Sequence, residues 1–168
     1  MSDSELVDIV DERDRVVGRT TRAEMRIRRL LHRAVYVLVL DSTRRIFVHQ
    51  RTATKDVYPG RWDVTIGGVV AAGETYPAAA ERELGEELGL TGATLAPLGP
   101  VHYEDEATRV YGAAFLVVHD GPVVLQVEEI VEGRFMSLAE AERLVAGGQC
   151  CPDGVAVFRR YQASASSD

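Results

Sequence analysis

The chain has 168 residues, the size of one compact domain, and apolar residues make up 46% of it, which is enough to bury a core. Its net charge of −7 excludes a typical duplex nucleic-acid binder, because such proteins use Lys and Arg to neutralise phosphates. A polyanionic partner would therefore need added cations.

Cysteine content and apolar runs bear on the compartment. Two adjacent cysteines, Cys150 and Cys151, give neither a disulfide framework nor the spacing of paired zinc ligands. No charged-then-apolar leader follows Met1, and the longest apolar run, residues 34–40, is too short to span a bilayer. We therefore expect a cytoplasmic protein that is neither secreted nor inserted into a membrane.

The N-terminal third begins with two short β-branched segments, residues 6–10 and 15–20, which predict a hairpin or meander at the edge of a sheet. The next stretch, residues 21–33, contains five arginines. It is either a solvated helical face or loop, or a patch that faces phosphate or a second copy of the chain. A homodimer is an open alternative, since no motif establishes one.

Central strands follow. The continuous apolar run at residues 34–40 predicts a buried strand, and residues 45–50 predict its neighbour. Residues 62–70 are strand-like but contain the pair Gly67 and Gly68, which lets another backbone approach closely or the strand bend.

The best-defined helix is predicted at residues 75–88. Thr75 is a candidate N-cap, Pro77 lies in the first turn, and Gly89 ends the periodic pattern. These signals fix both ends of the helix.

The remaining elements are shorter. Strand-like segments are expected at residues 95–103, 110–118 and 133–135. Helices are expected at residues 138–146 and 152–161, and the Ser-rich residues 162–168 are predicted to be disordered. With no internal repeat or long linker, the chain predicts one layered α/β (α+β) domain, residues 1–168, with a mixed sheet and an ordered core at residues 6–161.

Three carboxylates lie on the predicted helix. Glu83, Glu86 and Glu87 are three and four residues apart, so they emerge on one face, and Arg82 offsets part of their repulsion. Oxygen ligands at this density suit a hard cation, Mg²⁺ or Mn²⁺, which would neutralise charge on a diphosphate and activate water. Taken alone, an acidic helix face is more often a solvated surface.

The surrounding residues change that interpretation. From Gly68 there are five residues, then Glu74, then seven residues, then RELGEELGL at 82–90. This pattern resembles a complete Nudix box. The resemblance implies the Nudix fold, a mixed β-sheet sandwiched between α-helices, and a metal-dependent pyrophosphohydrolase. Such an enzyme cleaves the diphosphate linkage in a nucleoside diphosphate linked to another moiety, or in a similar small phosphorylated substrate.

The resemblance also implies roles by position. Glu83, Glu86 and Glu87 match the family's metal-binding carboxylates, and Gly68 matches the glycine whose backbone carbonyl joins them. Arg82 matches the arginine that, with Glu74, braces the loop against the helix.

The family's general base is not fixed in one place. In some members it belongs to the box, where Glu83 and Glu86 are the candidates, and in others to a loop near the end of the sheet. Glu128 and Glu129 are the candidates outside the box, and we favour Glu129. Either of these two is otherwise a surface carboxylate.

Basic residues follow the second central strand. Arg51 and Lys55 stand where many Nudix enzymes keep cations, so they are candidates to bind the far phosphate by charge-assisted hydrogen bonds. The alternative is a solvated loop.

A second resemblance brings a rival activity. LHRA at residues 31–34 and KDVYPGRWD at residues 55–63 resemble the Nudix subgroup that contains isopentenyl-diphosphate isomerases. Those isomerases use a Cys after the Trp and additional histidine ligands, whereas DVTIGG at residues 63–68 has neither, and Met25 replaces a second His. An intact box further favours hydrolysis; an isomerase and a non-catalytic nucleotide-binding module remain the alternatives. The four histidines show no metal-ligand spacing and are not assigned.

Overall fold

Nine strands and four helices alternate along residues 2–165, the part of the chain that the computed structural model describes. The strands are β1 (Leu6–Val10), β2 (Val16–Thr21), β3 (His32–Leu40), β4 (Ile46–Arg51), β5 (Trp62–Asp63), β6 (Ile66–Val69), β7 (Ala96–Glu104), β8 (Arg109–Val118) and β9 (Ile130–Met136). The helices are α1 (Arg22–Ile27), α2 (Tyr76–Leu88), α3 (Leu138–Ala146) and α4 (Pro152–Ala165). None of these helices is long and apolar enough to cross a bilayer.

β3 organises one mixed sheet. It pairs in parallel with β8 along its whole length, while its other edge is shared by β1, β6 and β4. β3 and β4 pair only at Leu40 and Ile46, after which β6 continues along β3, and β5 and β9 continue along β4. This separation leaves room for a cleft between the two groups of strands.

Alternation along β3 divides the core between two faces. Tyr36 and Leu38 point to the face covered by α3 and α4, whereas Val35 and Val37 point to the face covered by α2. Period-two alternation puts consecutive side chains on opposite faces of a strand, and an unbroken apolar run therefore indicates burial on both. The predicted mixed sheet between helices is confirmed.

Both predicted ends of α2 are confirmed. The Thr75 side chain accepts a hydrogen bond from the Ala78 N–H, and Pro77 occupies the first turn. Gly89 ends the helix in the left-handed conformation, with φ at 68°. The helix thereby starts and stops where its local sequence requires.

Two interpretations need correction. The Arg-rich stretch contains a helix, α1, but Arg22 and Arg26 are largely buried and pair with Asp56 instead of forming a solvated face. The predicted disordered tail begins too early, because α4 continues to Ala165 and the Gln162 amide donates to Glu142 of α3. Residues 166–168 lie outside the described residues.

His32 is a buried structural residue at the start of β3. Its Nδ1 donates to the Leu30 carbonyl at 2.8 Å, which leaves Nε2 to accept from Arg26 Nη1 at 3.4 Å. Burial, and then the charge of Arg26, lower the pKa of His32 to about 4. The neutral ring is therefore the form that the fold requires.

This titration predicts a pH-dependent stability. As pH falls from 6.5 toward 4, the unfolded chain gains a proton at His32 that the folded chain does not, so the free energy of unfolding falls by up to about 1.4 kcal/mol per pH unit. His32→Gln should reduce that slope in urea titrations between these pH values. The exposed His102→Gln is the matched control, and equal slopes in the two variants would contradict the assignment.

Candidate active site

The α2 carboxylates differ sharply in exposure. Glu83 and Glu87 are buried, with 6% and 2% of their surface exposed, while the Glu86 side chain is 43% exposed. Arg82 Nη1 donates to Glu83 Oε1 at 2.7 Å and to Glu86 Oε2 at 3.3 Å. One guanidinium therefore neutralises part of the charge of two carboxylates.

Arg82 also ties α2 to the preceding loop. Its Nε and Nη2 donate to the two oxygens of Glu74 at 2.9 and 3.0 Å, and Nη2 reaches the Val69 carbonyl at 3.1 Å. Glu74 in turn accepts from the Ala71 N–H at 2.9 Å. This fork is the brace that the resemblance implied, since a planar guanidinium binds a carboxylate through two parallel bonds.

Two glycines bring β6 against its neighbours. A Cβ at Gly67 would lie 1.9 Å from the Val35 carbonyl oxygen, and a Cβ at Gly68 would lie 2.6 Å from Glu83 Oε1. Side chains at these positions would displace a backbone in the first case and a carboxylate in the second. The Gly68 backbone is thus in contact with the first of the three box carboxylates.

Glu87 carries an unsatisfied atom. Its Oε2 is buried without a hydrogen-bond partner, and its Oε1 lies 4.0 Å from Lys55 Nζ. Burial, and then the charge of Glu83, raise the pKa of Glu87 well above its usual value. Because a buried polar atom without a partner is costly, this oxygen is suited to receive a cation.

The carboxylate oxygens of the box are therefore the type of ligand that a hard divalent ion prefers, although they do not form a closed cluster. Among residues 2–165, no group of three His, Cys, Asp or Glu side chains is arranged to hold a metal. Glu83 and Glu86 instead turn toward Arg82, and Glu87 stands apart. Three box carboxylates would have to converge for metal binding.

Lys55 and Glu129 form an ion pair in the wall of the cleft. Burial acts to raise the pKa of Glu129, but Lys55 outweighs it and keeps that pKa below the usual range. Glu128 is exposed and does not line the cleft. The structure thus brings together the favoured base and one of the two predicted phosphate ligands.

Arg51 is held inside the same wall. Its Nη2 donates to the Val57 carbonyl at 2.9 Å, Nη1 lies 3.8 Å from Asp63 Oδ2, and Nε is buried without a partner. Only 12% of the Arg51 side chain and 17% of the Lys55 side chain are exposed. The solvated-loop alternative is therefore wrong for both residues.

Sequence reasoning missed much of the cleft, which encloses about 780 Å³ including space open to solvent. Its walls include polar side chains that no motif had assigned: Arg22, Arg26, Tyr36, Asp56, Asp63, Thr65 and Asp153. The sequence leaves a phosphate-facing role open for Arg22 and Arg26, but Tyr36 lies in an apolar run and Asp153 simply follows a proline. Neither carried a local signal.

Comparison with known proteins identifies the family. Residues 30–149 match the NUDIX domain. The chain belongs to the Nudix family. It is 43% identical over 164 residues to the uncharacterized Nudix hydrolase PA4841 of Pseudomonas aeruginosa, with 95% of each chain covered. It is also 44% identical over 132 residues to the uncharacterized Nudix hydrolase YfcD of Escherichia coli K12, covering 79% of this chain and 73% of YfcD.

A solved structure agrees with this membership. The crystal structure of DR0079 from Deinococcus radiodurans superposes with a TM-score of 0.81 at 26% identity, covering 94% of this chain and 99% of DR0079. The Nudix fold predicted from the box is confirmed, and the relatives are Nudix hydrolases whose names give no substrate. The protein is therefore a Nudix hydrolase.

The Arg82 brace predicts a large stability effect. Arg82→Met leaves the largely buried Glu74 and Glu83 without their partner, so the free energy of unfolding should fall by about 3 kcal/mol in urea titrations. Arg159→Met, which removes a surface pair with Glu142, is the matched control and should cost much less. Equal losses in the two variants would show that Arg82 is not a brace.

Proposed function

We propose that the protein is a metal-dependent pyrophosphohydrolase that cleaves the diphosphate linkage of a small phosphorylated substrate. A nucleoside diphosphate linked to another moiety is the substrate type that the family suggests. The observation that carries the proposal is that the Oε2 atom of Glu87 is buried without a hydrogen-bond partner. Glu87 lies one helical turn from Glu83, and its other oxygen, Oε1, lies 4.0 Å from Lys55 Nζ. A buried carboxyl group with an unpaired oxygen is expected where a cation binds.

Mg²⁺ or Mn²⁺ is the proposed cofactor. Glu83, Glu86 and Glu87 would hold it together with the Gly68 carbonyl, all of them hard oxygen donors. When bound, such an ion neutralises charge on the phosphoryl oxygens and lowers the pKa of an attacking water. Arg82 then serves catalysis by holding Glu86 and by holding Glu83 beside Gly68.

Lys55 and Arg51 are proposed to bind the substrate. Lys55 is the only lysine in a chain with 18 arginines, and it lies between Glu87 and Glu129. A diphosphate offers Lys55 a more highly charged partner than either carboxylate. Transfer of Lys55 to phosphate would free Glu129 to accept a proton from the attacking water, which makes Glu129 the proposed general base.

The cysteine positions favour hydrolysis over isomerisation. Cys150 and Cys151 are buried, burial raises the pKa of both thiols, and neither lines the cleft. Met25, at the position of a second isomerase histidine, packs with Val7 and Val69 in the core. The segment that holds the isomerase Cys contributes Asp63 and Thr65 to the cleft in its place.

Product release from a panel of diphosphates tests the proposal. Phosphate or monophosphate should be released from at least one nucleotide member only when Mg²⁺ or Mn²⁺ is present. Rearrangement of isopentenyl diphosphate without phosphate release would establish the isomerase instead. Folded protein that binds nucleotide but cleaves no member would establish a binding module.

The box carboxylates predict a matched set of variants. Glu86→Gln and Glu87→Gln keep the shape of the side chain but weaken the metal site, so turnover should fall by about a hundredfold or more. Glu81→Gln, at an exposed position of the same helix, should keep wild-type turnover. Isothermal calorimetry should show weaker Mn²⁺ binding by the two site variants than by Glu81→Gln. Unchanged turnover in both site variants would contradict the proposed metal site.

Lys55 allows a direct chemical test. Because it is the only lysine, an amine-acylating reagent modifies this side chain and the N-terminus alone. A diphosphate with Mg²⁺ should slow acylation of Lys55 and leave the N-terminus unaffected, as read by peptide mass spectrometry. Lys55→Gln should raise KM by about tenfold, the effect of losing one charged hydrogen bond. Neither protection nor a change in KM would exclude Lys55 from the phosphate site.

A further inference from the structure

One wall of the cleft has no role in the proposed chemistry. Tyr36 of β3, Asp63 of β5 and Asp153 of α4 line the cleft together with Thr65. Tyr36 belongs to the α3–α4 face of the sheet, whereas the box helix covers the opposite face. This group, the acceptor wall of Tyr36, Asp63 and Asp153, is therefore separate from Glu83, the box carboxylate that lines the same cleft.

Every hydroxyl hydrogen of this wall is already used. The Tyr36 hydroxyl donates to Asp153 Oδ2 at 3.0 Å, and the Thr65 hydroxyl donates to Asp63 Oδ1 at 2.9 Å. Asp153 Oδ1 accepts from the Gly154 N–H at 2.9 Å, and Asp63 Oδ1 also accepts from the Thr65 N–H at 3.0 Å. The Cys151 thiol also hydrogen-bonds the Asp63 carboxylate. What the wall has left are the remaining lone pairs of the Tyr36 oxygen and of the two carboxylates.

The charges of the wall restrict what it accepts. Burial, and then the charge of Asp63, raise the pKa of Asp153, and both of its oxygens already accept hydrogen bonds, from the Tyr36 hydroxyl and from the Gly154 N–H. A second phosphate would be repelled by the two carboxylates, and an apolar tail would leave their remaining lone pairs unpaired. Arg51 Nη1, 3.8 Å from Asp63 Oδ2, offsets part of the negative charge and makes a cationic group a poorer fit than a neutral donor.

We propose that the acceptor wall binds hydroxyl groups on the organic part of the substrate, and that Asp153 is the residue that selects for them. This proposal rests on the proposed function, since it takes the diphosphate to lie at Lys55 and the box. Carboxylates hydrogen-bond sugar hydroxyls in other nucleotide sites, and a site built to pair hydroxyls rejects analogues that lack them. The chemical class is a diphosphate of a hydroxylated group, such as a sugar, and not of a hydrocarbon.

Three compounds test the wall. Uridine 5′-diphosphate carries two ribose hydroxyls, its 2′,3′-dideoxy analogue carries none, and isopentenyl diphosphate has a hydrocarbon group. With Mg²⁺, kcat/KM of the wild type for uridine diphosphate should exceed that for the dideoxy analogue by about tenfold or more. Asp153→Asn should lower this ratio by about tenfold, whereas Asp120→Asn, on an exposed loop outside the cleft, should keep it.

A binding measurement separates the two proposals. Calorimetry with the α,β-methylene forms of the two uridine compounds measures their binding without turnover. If these forms bind with the expected preference but no diphosphate is hydrolysed, the proposed function is overturned and the acceptor wall is not. Tyr36→Phe removes one oxygen at constant shape and gives a second variant if Asp153→Asn fails to fold. Equal or absent binding of the two uridine compounds, tighter binding of isopentenyl diphosphate, or a hydroxyl preference that survives both substitutions would overturn the acceptor wall.

Discussion

The hydrogen bonds of one guanidinium, Arg82, hold the box in place. Glu74, Glu83 and Glu86 all accept from it, and it also reaches the Val69 carbonyl at the end of β6. Without this cation, α2 would present several carboxylates to each other and to the interior, where like charges and missing solvation both cost free energy. The loop from β6 to α2 keeps its path because both of its ends are bonded to the same side chain.

The hydrogen bonds of Arg82 go to Glu74, Glu83, Glu86 and the Val69 carbonyl, and none of them goes to Glu87. Glu87 is buried with one oxygen unpaired, and the nearest cation, Lys55, is already bonded to Glu129. The fold thus keeps a buried carboxyl oxygen that its own side chains do not pair. An unpaired buried group of this kind lowers the stability of the free protein. Such groups are expected at functional sites, where a bound ligand supplies the missing partner.

Local signals explain why so much of the box could be predicted. The ends of α2 follow from Thr75 and Gly89, and the spacing of the three carboxylates follows from helical periodicity. The pairing of Arg82 with Glu74 needs only eight residues of chain. In contrast, Tyr36 meets Asp153 across 117 residues, and Arg22 meets Asp56 across 34, so only the assembled sheet brings them together. The Ser and Ala residues after Tyr161 predict a polar tail, but α4 continues to Ala165 and contacts α3 through the Gln162–Glu142 hydrogen bond.

The difference between local and long-range contacts also separates the residues proposed for the reaction from those proposed to select the substrate. The residues proposed to act on the diphosphate lie mostly in one short segment whose conformation is locally determined, so any chain with this segment can build them. The residues of the acceptor wall come from β3, β5 and α4, and each depends on how distant elements pack. A substitution in those elements changes the wall without touching Arg82 or its carboxylates. Members of the family can therefore share an intact box and still select different organic groups, because the box recognises only the phosphate bridge and function belongs to the site and not to the fold.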